Sequence, residues 1–402
     1  RAHRAHGTAH AVSGALGFTA AERRLLTDLR RDLHRHPELS WHETRTQQTL
    51  ERTLGEAGLS DVRRVARTGL VVRVRGRAAG APVIALRGDI DALPIAEATG
   101  LEFASVHDGV MHACGHDVHA AWAVGAALLL ARAPAAGDVL VVLQPAEEVG
   151  EGAREVLASG VLDGVRAIFG AHVDRRFEVG QVVAQQGPLA ASADTFRIVL
   201  HGEGAHGARP QEARDPIVGA AALIGALQTI VSRRLDPALP GVLTVGAVHA
   251  GRAANVIPET AELTGTIRAT TAAARALLVG ELERISLAVA GTHRLTADVD
   301  ITEGTPPVVN SPEAAAWAAR AVYEVLGERA LVPLGTTNMG AEDFAFYLER
   351  MPGCFLRIGA REPGGERLAA HTPRFHPAED SLFIGAAVLA QCAREAGSPS
   401  SG

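Results

Sequence analysis

Apolar and polar positions along the chain follow two periods, one of about 3.6 residues, typical of helices, and one of two, typical of strands. Residues 20–58 have helical spacing that Pro37 interrupts, and we expect the second helix to begin near Ser40 with Glu43 as its capping-box partner. Apolar runs predict buried strands at residues 69–75, 82–87, 139–143 and 167–171, with a small-apolar helix at 120–133. Strands and helices in this order are typical of an α/β sheet.

The pattern changes after Gly187, where the predicted order becomes strand, helix, strand, strand, helix, strand. These elements are residues 195–200, 216–233, 242–248, 259–267, 271–290 and 295–301. That βαββαβ order is typical of a ferredoxin-like domain, and the α/β pattern returns after Pro307. We therefore expect an α/β fold. A mixed-sheet domain would comprise the segments 1–190 and 306–402, with a ferredoxin-like domain inserted at 191–305.

Composition and charge argue against several classes of protein. A length of 402 residues with 47% hydrophobic and 21% charged residues predicts a globular protein of two domains. The net charge of −6 and the lack of a basic run interleaved with aromatics argue against nucleic acid, and no apolar run appears long enough to span a membrane. Three scattered cysteines indicate a reducing compartment, the cytoplasm. Residues 1–17 lack the apolar stretch of a signal peptide, and we expect frayed termini there and at 397–402.

The chain contains no lysine, and its 39 Lys and Arg residues are all arginine. This excludes a lysine Schiff base and a P-loop with its lysine.

Residues 111–119 (MHACGHDVH) hold three histidines, a cysteine and an aspartate. The Cys-x-His spacing lets the thiolate of Cys114 and the imidazole of His116 turn toward one metal ion, and Gly115 permits a backbone angle that a β-carbon would forbid. The alternative is a polar turn with a reduced cysteine. Taken alone, this motif does not decide between them.

Further candidate ligands follow the predicted strands. Asp89 and Asp91 follow the second strand, Glu147 and Glu148 the third, and His172 the fourth. Neighbouring side chains on an extended backbone point in opposite directions, so one of the two glutamates could bind metal while the other faces water or substrate. The alternatives are an Asp-rich turn and an acidic helix N-terminus.

Together these motifs resemble a known family: the dinuclear-metal amidohydrolases related to aminoacylase and carboxypeptidase G, in the branch of hippurate hydrolases and auxin-conjugate hydrolases. The matching stretches are residues 87–94 (RGDIDALP), 111–119, 144–148 (QPAEE), 171–173 (AHV), 204–210 (GAHGARP), 255–258 (NVIP), 340–344 (GAEDF) and 371–375 (HTPRF). The resemblance implies two divalent ions, with Zn, Mn, Co and Ni as candidates. The implied ligands are Cys114, His116, Glu148, His172 and His371, with the thiolate of Cys114 as the candidate bridge between the ions. His376 competes with His371 but is interpreted as a surface residue.

The resemblance also implies roles for residues that do not hold metal. Glu147 would be the general base, and Asp91 and Asp117 would orient ligand imidazoles. His206 matches a histidine that steadies the oxyanion, and in relatives it reaches the site across a dimer interface. Asn255 and Arg268 match a pair that grips the substrate carboxylate. Without the resemblance, His206 would be a loop histidine and Arg268 a solvated strand residue.

The expected function is hydrolysis of the amide bond of N-acyl or N-aroyl amino acids by a metal-activated water. A dipeptidase or a small-metabolite deacylase would use the same site, and a non-catalytic metal-dependent binding protein is a further alternative. A structural zinc site is disfavoured, because such sites are closed four-ligand centres. The substrate would be a small amide with a carboxylate, and the inserted domain would act as a lid and mediate a homodimer.

Overall fold

The computed structural model describes residues 16–398, so most of both termini expected to fray lies outside the described residues. The chain forms two compact units. Unit 1 contains the described residues up to 187, 310–335 and those from 346 onward, and unit 2 contains 188–309 and 336–345. The catalytic and lid domain bounds given above remain predictions.

The helices of the described part are α1 Ala20–Arg35, α2 Thr44–Glu56, α3 His116–Arg132, α4 Gly152–Ala158, α5 Pro216–Thr229, α6 Ala272–Thr292, α7 Pro312–Leu326, α8 Ala345–Leu348 and α9 Asp380–Gly397. The strands are β1 Val62–Val65, β2 Gly69–Val74, β3 Ile84–Asp89, β4 Val139–Gln144, β5 Ala167–Glu178, β6 Val182–Val183, β7 Gly187–Ala190, β8 Asp194–His201, β9 Ala205–His206, β10 Gly241–Ala250, β11 Val256–Ile257, β12 Thr260–Ala269, β13 Thr296–Thr302, β14 Val308–Asn310 and β15 Gly353–Arg361. A short π-helical segment, Ile230–Arg234, continues α5.

Unit 1 is built on a seven-stranded mixed sheet in the order β1-β2-β4-β3-β5-β15-β6. β4, β3, β5 and β15 run parallel, and antiparallel strands continue the sheet on both sides. The helix α3 is buried along almost its whole length, which explains its uninterrupted apolar sequence. Because β3, β4 and β5 are parallel neighbours, their chains all run toward the same edge of the sheet. Open α/β sheets place their sites at that edge, beyond the carboxyl ends of the strands.

Two predicted element bounds in unit 1 are wrong. β5 does not end at His172 but continues to Glu178, because β15 pairs with it in parallel up to Glu178. The helix α2 begins at Thr44 rather than near Ser40, and Glu43 stands at its N-cap position without capping it through its side chain. The capping box of this region lies instead at Thr19 and Glu22, at the start of α1.

Unit 2 has a four-stranded antiparallel sheet in the order β10-β12-β8-β13. With α5 after β8 and α6 after β12, this is the topology of a ferredoxin-like fold. Both helices bury apolar side chains against the sheet in one core, among them Leu223 and Leu278.

The expectation that no apolar run could span a membrane needs correction for residues 216–234. This helical stretch is long and apolar enough by length and composition, and 33% of it is buried. These criteria alone are weak, since core helices of soluble proteins meet them too. Leu223, Leu227 and Ile230 of this stretch belong to the core of unit 2.

Candidate metal centre

The centre begins at the turn that leads into α3. Cys114 precedes Gly115, which has φ 94°, and His116 is the first residue of the helix. A β-carbon at Gly115 would lie 2.5 Å from Cγ2 of Val173, which follows His172 on β5. Glycine therefore permits both the left-handed turn and the close approach of α3 to β5.

All five predicted ligands of unit 1 lie together. Sγ of Cys114 is 3.2 Å from Nε2 of His172, and Nε2 of His116 is 3.8 Å from Oε1 of Glu148. Nε2 of His371 lies 3.5 Å from the other oxygen of Glu148. These atoms form overlapping groups whose members lie within 4.8 Å of one another, which is close enough to share metal ions.

The donor atoms fit divalent metal ions. Nε2 of His116 and Oε1 of Glu148 are buried and make no hydrogen bond within the described part of the chain. Buried polar atoms of this kind are costly unless a partner satisfies them. Thiolate, imidazole and carboxylate are the donors that zinc and its neighbours in the transition series prefer.

Backbone carbonyl groups fix which nitrogen of the His116 and His172 imidazoles carries the proton. Nδ1 of His116 lies 3.0 Å from the carbonyl oxygen of Asp91, and Nδ1 of His172 lies 2.7 Å from the carbonyl oxygen of Val173. A carbonyl oxygen only accepts hydrogen bonds, so Nδ1 carries the proton in both rings. In the neutral rings Nε2 then keeps its lone pair for a metal ion.

Burial and charge set the pKa values at the centre. Burial raises the pKa of Glu148 to about 7, and it raises the pKa of the Cys114 thiol well above its ordinary value. Burial lowers the pKa values of His172 and His371, so both rings are neutral near pH 7. Burial opposes protonation of His116 as well, but the carboxylate of Asp89 and the Cys114 sulfur raise its pKa well above the ordinary range. The surroundings thus favour positive charge on the His116 ring in the metal-free protein, and a metal ion bound at Nε2 would take the place of that proton.

Glu147, the predicted base, lies beside the predicted ligands. Its Oε2 is 3.9 Å from Nε2 of His116, and it groups with His116 and Glu148. The side chain is 10% exposed, so water can approach it.

Asp91 contacts the imidazole of His116, a predicted ligand, whereas Asp117 contacts other side chains. Oδ1 of Asp91 is 3.1 Å from Nδ1 of His116. Asp117 instead binds Arg30 at 2.8 Å and His34 at 2.9 Å, so its predicted contact with a ligand imidazole is wrong. Asp117 follows His116 on α3, and its side chain projects toward α1, which carries both partners.

Behind the predicted ligands lies a buried pair, His119 and Asp89, that was not predicted from the sequence. Nδ1 of His119 donates to Oδ1 of Asp89 at 2.6 Å, and its Nε2 accepts the N–H of Val173 at 3.0 Å. His119 therefore links α3 and β3 to the residue that follows His172, a predicted ligand. The spacing of one helical turn between His116 and His119 was the available signal.

The three predicted lid residues lie in unit 2. His206 is in β9, opposite Val256 of β11, and the carbonyl of Asn255 accepts the N–H of Gly207 at 2.7 Å. His206 and Asn255 are exposed and adjacent. Arg268 lies in β12, opposite Val242 of the edge strand β10, and is half-buried.

Comparison with known proteins identifies the family. Residues 85–395 match the family described as peptidase family M20/M25/M40. The chain belongs to this family. The resemblance inferred from the motifs is therefore confirmed.

Relatives of this M20 family member include amide hydrolases. The chain is 40% identical over 376 residues to an N-acetylcysteine deacetylase of Bacillus subtilis, covering 92% of this chain and 96% of the relative. It is 36% identical over 374 residues to an IAA-amino acid hydrolase of Arabidopsis thaliana, covering 92% and 84%. The crystal structure of a Bacillus subtilis protein, described as a dinuclear metal binding peptidase from the M20 family, superposes with a TM-score of 0.83 at 37% identity, covering 94% of this chain and 98% of that one.

These findings confirm the α/β fold class and the enzyme class predicted from the sequence. The protein is a metallo-amidohydrolase of the M20 family.

Proposed function

We propose that this M20 hydrolase cleaves the amide bond of N-acyl or N-aroyl amino acids, with Glu147 as the general base. The observation that carries the proposal is the placement of two adjacent glutamates. Glu148 groups with the predicted ligands Cys114 and His371 as well as with His116. Among the predicted ligands that the structure describes, Glu147 groups only with His116 and Glu148, and its Oε2 lies 3.9 Å from Nε2 of His116. The relatives named for N-acetylcysteine and for IAA–amino acid conjugates support this substrate class.

We propose that the chain binds two divalent metal ions, as the related M20 peptidase described as dinuclear metal binding supports, and we assign Cys114, His116, Glu148, His172 and His371 as the residues that hold them. When bound, such ions lower the pKa of a water and polarise the scissile carbonyl. The thiolate favours zinc, and Mn, Co and Ni remain candidates.

The residues of the chain would move the proton and hold the substrate. Glu147 takes a proton from the attacking water onto its carboxylate and returns it to the leaving amine, so that a free amino acid is released. His206 stabilises the oxyanion, and Asn255 and Arg268 bind the substrate carboxylate.

A homodimer formed through unit 2 is part of the proposal. Among the described residues, the edge strand β10 pairs only with β12, and it exposes Val242 and Val248. On α5, Ile217 and Val218 are 44% and 53% exposed. An open strand edge beside exposed apolar side chains is suited to pairing with a second copy.

We also place the enzyme in the cytoplasm. Cys114, Cys354 and Cys392 are all free and buried thiols, which suits a reducing compartment.

The test is release of a free amino acid from N-acetyl, N-benzoyl, long-chain N-acyl and dipeptide substrates, comparing metal-loaded wild type with Glu147→Gln. Wild type should release the amino acid, and the variant should be slower by about a hundredfold to ten-thousandfold. Preference for the dipeptides would favour a peptidase. Undiminished release by the variant would show that Glu147 is not the base.

A further inference from the structure

Two buried carboxylates from distant parts of unit 1 bind the backbone on either side of Glu147. Oε1 of Glu43 accepts the N–H of Ala146 at 2.9 Å, and Oδ2 of Asp91 accepts the N–H of Glu148 at 3.0 Å. The residue before the proposed base and the residue after it are thus both held by charge-assisted hydrogen bonds.

The preceding residue has a strained backbone. Ala146 has φ 53°, in the left-handed region that residues with a β-carbon rarely occupy. Such a conformation persists only where surrounding contacts impose it. The carbonyl of Ala146 accepts the N–H of Gly152 at 3.1 Å, and its N–H is bound by Glu43. Ala146 directly precedes Glu147 in the segment that follows β4, so the φ and ψ of Ala146 set the direction of the chain at Glu147.

The side chain of Glu43 makes its hydrogen bonds outside its own helix. It occupies the N-cap position of α2 but makes no capping hydrogen bond, and its side chain is fully buried. Its second oxygen accepts the hydroxyl of Thr68 at 2.6 Å. A fully buried carboxylate is costly unless its oxygens are satisfied, and here one partner is the loop that carries the base.

We infer that Glu43 is a positioning residue for Glu147: by binding the N–H of Ala146 it holds the left-handed turn that aims the base. This inference rests on the proposed role of Glu147.

The experiment compares variants that remove one contact at a time. Glu43→Leu removes the acceptor for Ala146, Glu43→Gln keeps an oxygen for it, and Thr68→Val removes only the partner of the other carboxylate oxygen. Displacement of a reacting group by about 1 Å can reduce a rate by about a hundredfold. We expect Glu43→Leu to lower kcat by a factor of that order while KM and the affinity for both metal ions stay unchanged. Glu43→Gln and Thr68→Val should retain most of kcat.

A second readout does not depend on activity. Hydrogen–deuterium exchange of residues 143–151 in the metal-free protein should accelerate in Glu43→Leu and stay slow in Glu43→Gln and Thr68→Val. If Glu43→Leu does not fold, Glu43→Asp withdraws the acceptor by one methylene and should show the same pattern.

Unchanged exchange and kcat in Glu43→Leu would overturn the inference. So would equal losses of kcat in Glu43→Leu and Thr68→Val that follow a common loss of stability, since Glu43 would then only support the fold. If Glu147→Gln hydrolyses as fast as wild type while exchange accelerates selectively in Glu43→Leu, the positioning contact stands and the assignment of Glu147 as base fails.

Discussion

His116 and Asp91 meet through one imidazole nitrogen, since Nδ1 lies 3.0 Å from the Asp91 carbonyl oxygen and 3.1 Å from its Oδ1. The same carboxylate accepts the hydroxyl of Ser40 and the N–H of Glu148 through Oδ2. Burial would raise the pKa of Asp91, but the hydrogen bond from His116 and the charge of that ring outweigh burial and lower it. Asp91 is therefore an ionised acceptor that orients one proposed ligand and the backbone of another.

Replacing Asp91 should weaken metal binding. Loss of a carboxylate that orients a ligand imidazole costs about 10–100-fold in metal affinity, so Asp91→Ala should lose that much and Asp91→Asn less. Competition with a chelator measures the affinity. Wild-type affinity in Asp91→Ala would contradict the role assigned to this contact.

Metal binding should strengthen as pH rises through about 7. Burial raises the pKa of Glu148 to about 7, so below that pH the carboxyl is protonated and must lose its proton to bind an ion. His172 and His371 have lowered pKa values and release no proton near neutrality. Calorimetry in buffers of different ionisation enthalpy counts the protons released, and we expect the count to fall by about one between pH 6 and 8. In Glu148→Gln this change should disappear, and its persistence would assign it to another group.

Arg268 should matter only for substrates that carry a carboxylate. A hydrogen bond to a charged group is worth about 1.5–3 kcal/mol, so Arg268→Ala should raise KM for an N-acyl amino acid by about 10–150-fold. KM for the corresponding amino acid amide should change little. Arg197→Ala is the matched control, because Arg197 lies on the neighbouring strand β8 and pairs with Glu262. Equal effects on acid and amide would remove the carboxylate role.

A single charge on α5 should separate the proposed dimer. Ile217→Asp places a carboxylate on an exposed apolar position of unit 2, and Tyr323→Asp does the same at a 56% exposed position of unit 1. We expect the first variant to sediment as a monomer and the second as a dimer, since burying an unpaired charge costs several kcal/mol. A monomeric wild type would rule out the dimer.

His34 should make the stability of the metal-free protein depend on pH. Burial lowers its pKa, but the Asp117 carboxylate and hydrogen bonds to Asp117 and Glu97 outweigh burial and raise it. Because folding raises the pKa of His34, its protonated ring stabilises the folded state. This stabilisation is complete below the unfolded-state pKa near 6.5 and is lost as pH rises through the folded-state pKa. His34→Gln should therefore lower the free energy of unfolding most below pH ~6.5, by about 1–3 kcal/mol, and less at higher pH. Thermal unfolding between pH 5.5 and 9 measures this, and a deficit that grows with pH would contradict it.

The elements that the sequence predicted well are those whose signals are local. The small-apolar run before Arg132 marked α3, and the alternation of unit 2 gave its strand and helix order. Period and turn signals depend on neighbours a few residues apart, so they survive without the rest of the fold.

The errors came where a distant segment competed for a side chain. Glu43 has the sequence context of a capping-box partner, yet its carboxylate binds Thr68 and Ala146, the latter 103 residues away. Asp117 stands beside ligand His116 but faces Arg30. β5 runs past His172 because β15 extends its pairing.

The sequence by itself determined which donor chemistries the chain offers, since a thiol, imidazoles and paired carboxylates at motif spacing are properties of the residues. Only the tertiary structure decided which donors meet, which ring nitrogen of His116 keeps its lone pair and which carboxylates hold the loop of Glu147. These depend on hydrogen bonds between segments far apart in the chain, and packing of the sheet and helices is what brings those segments together.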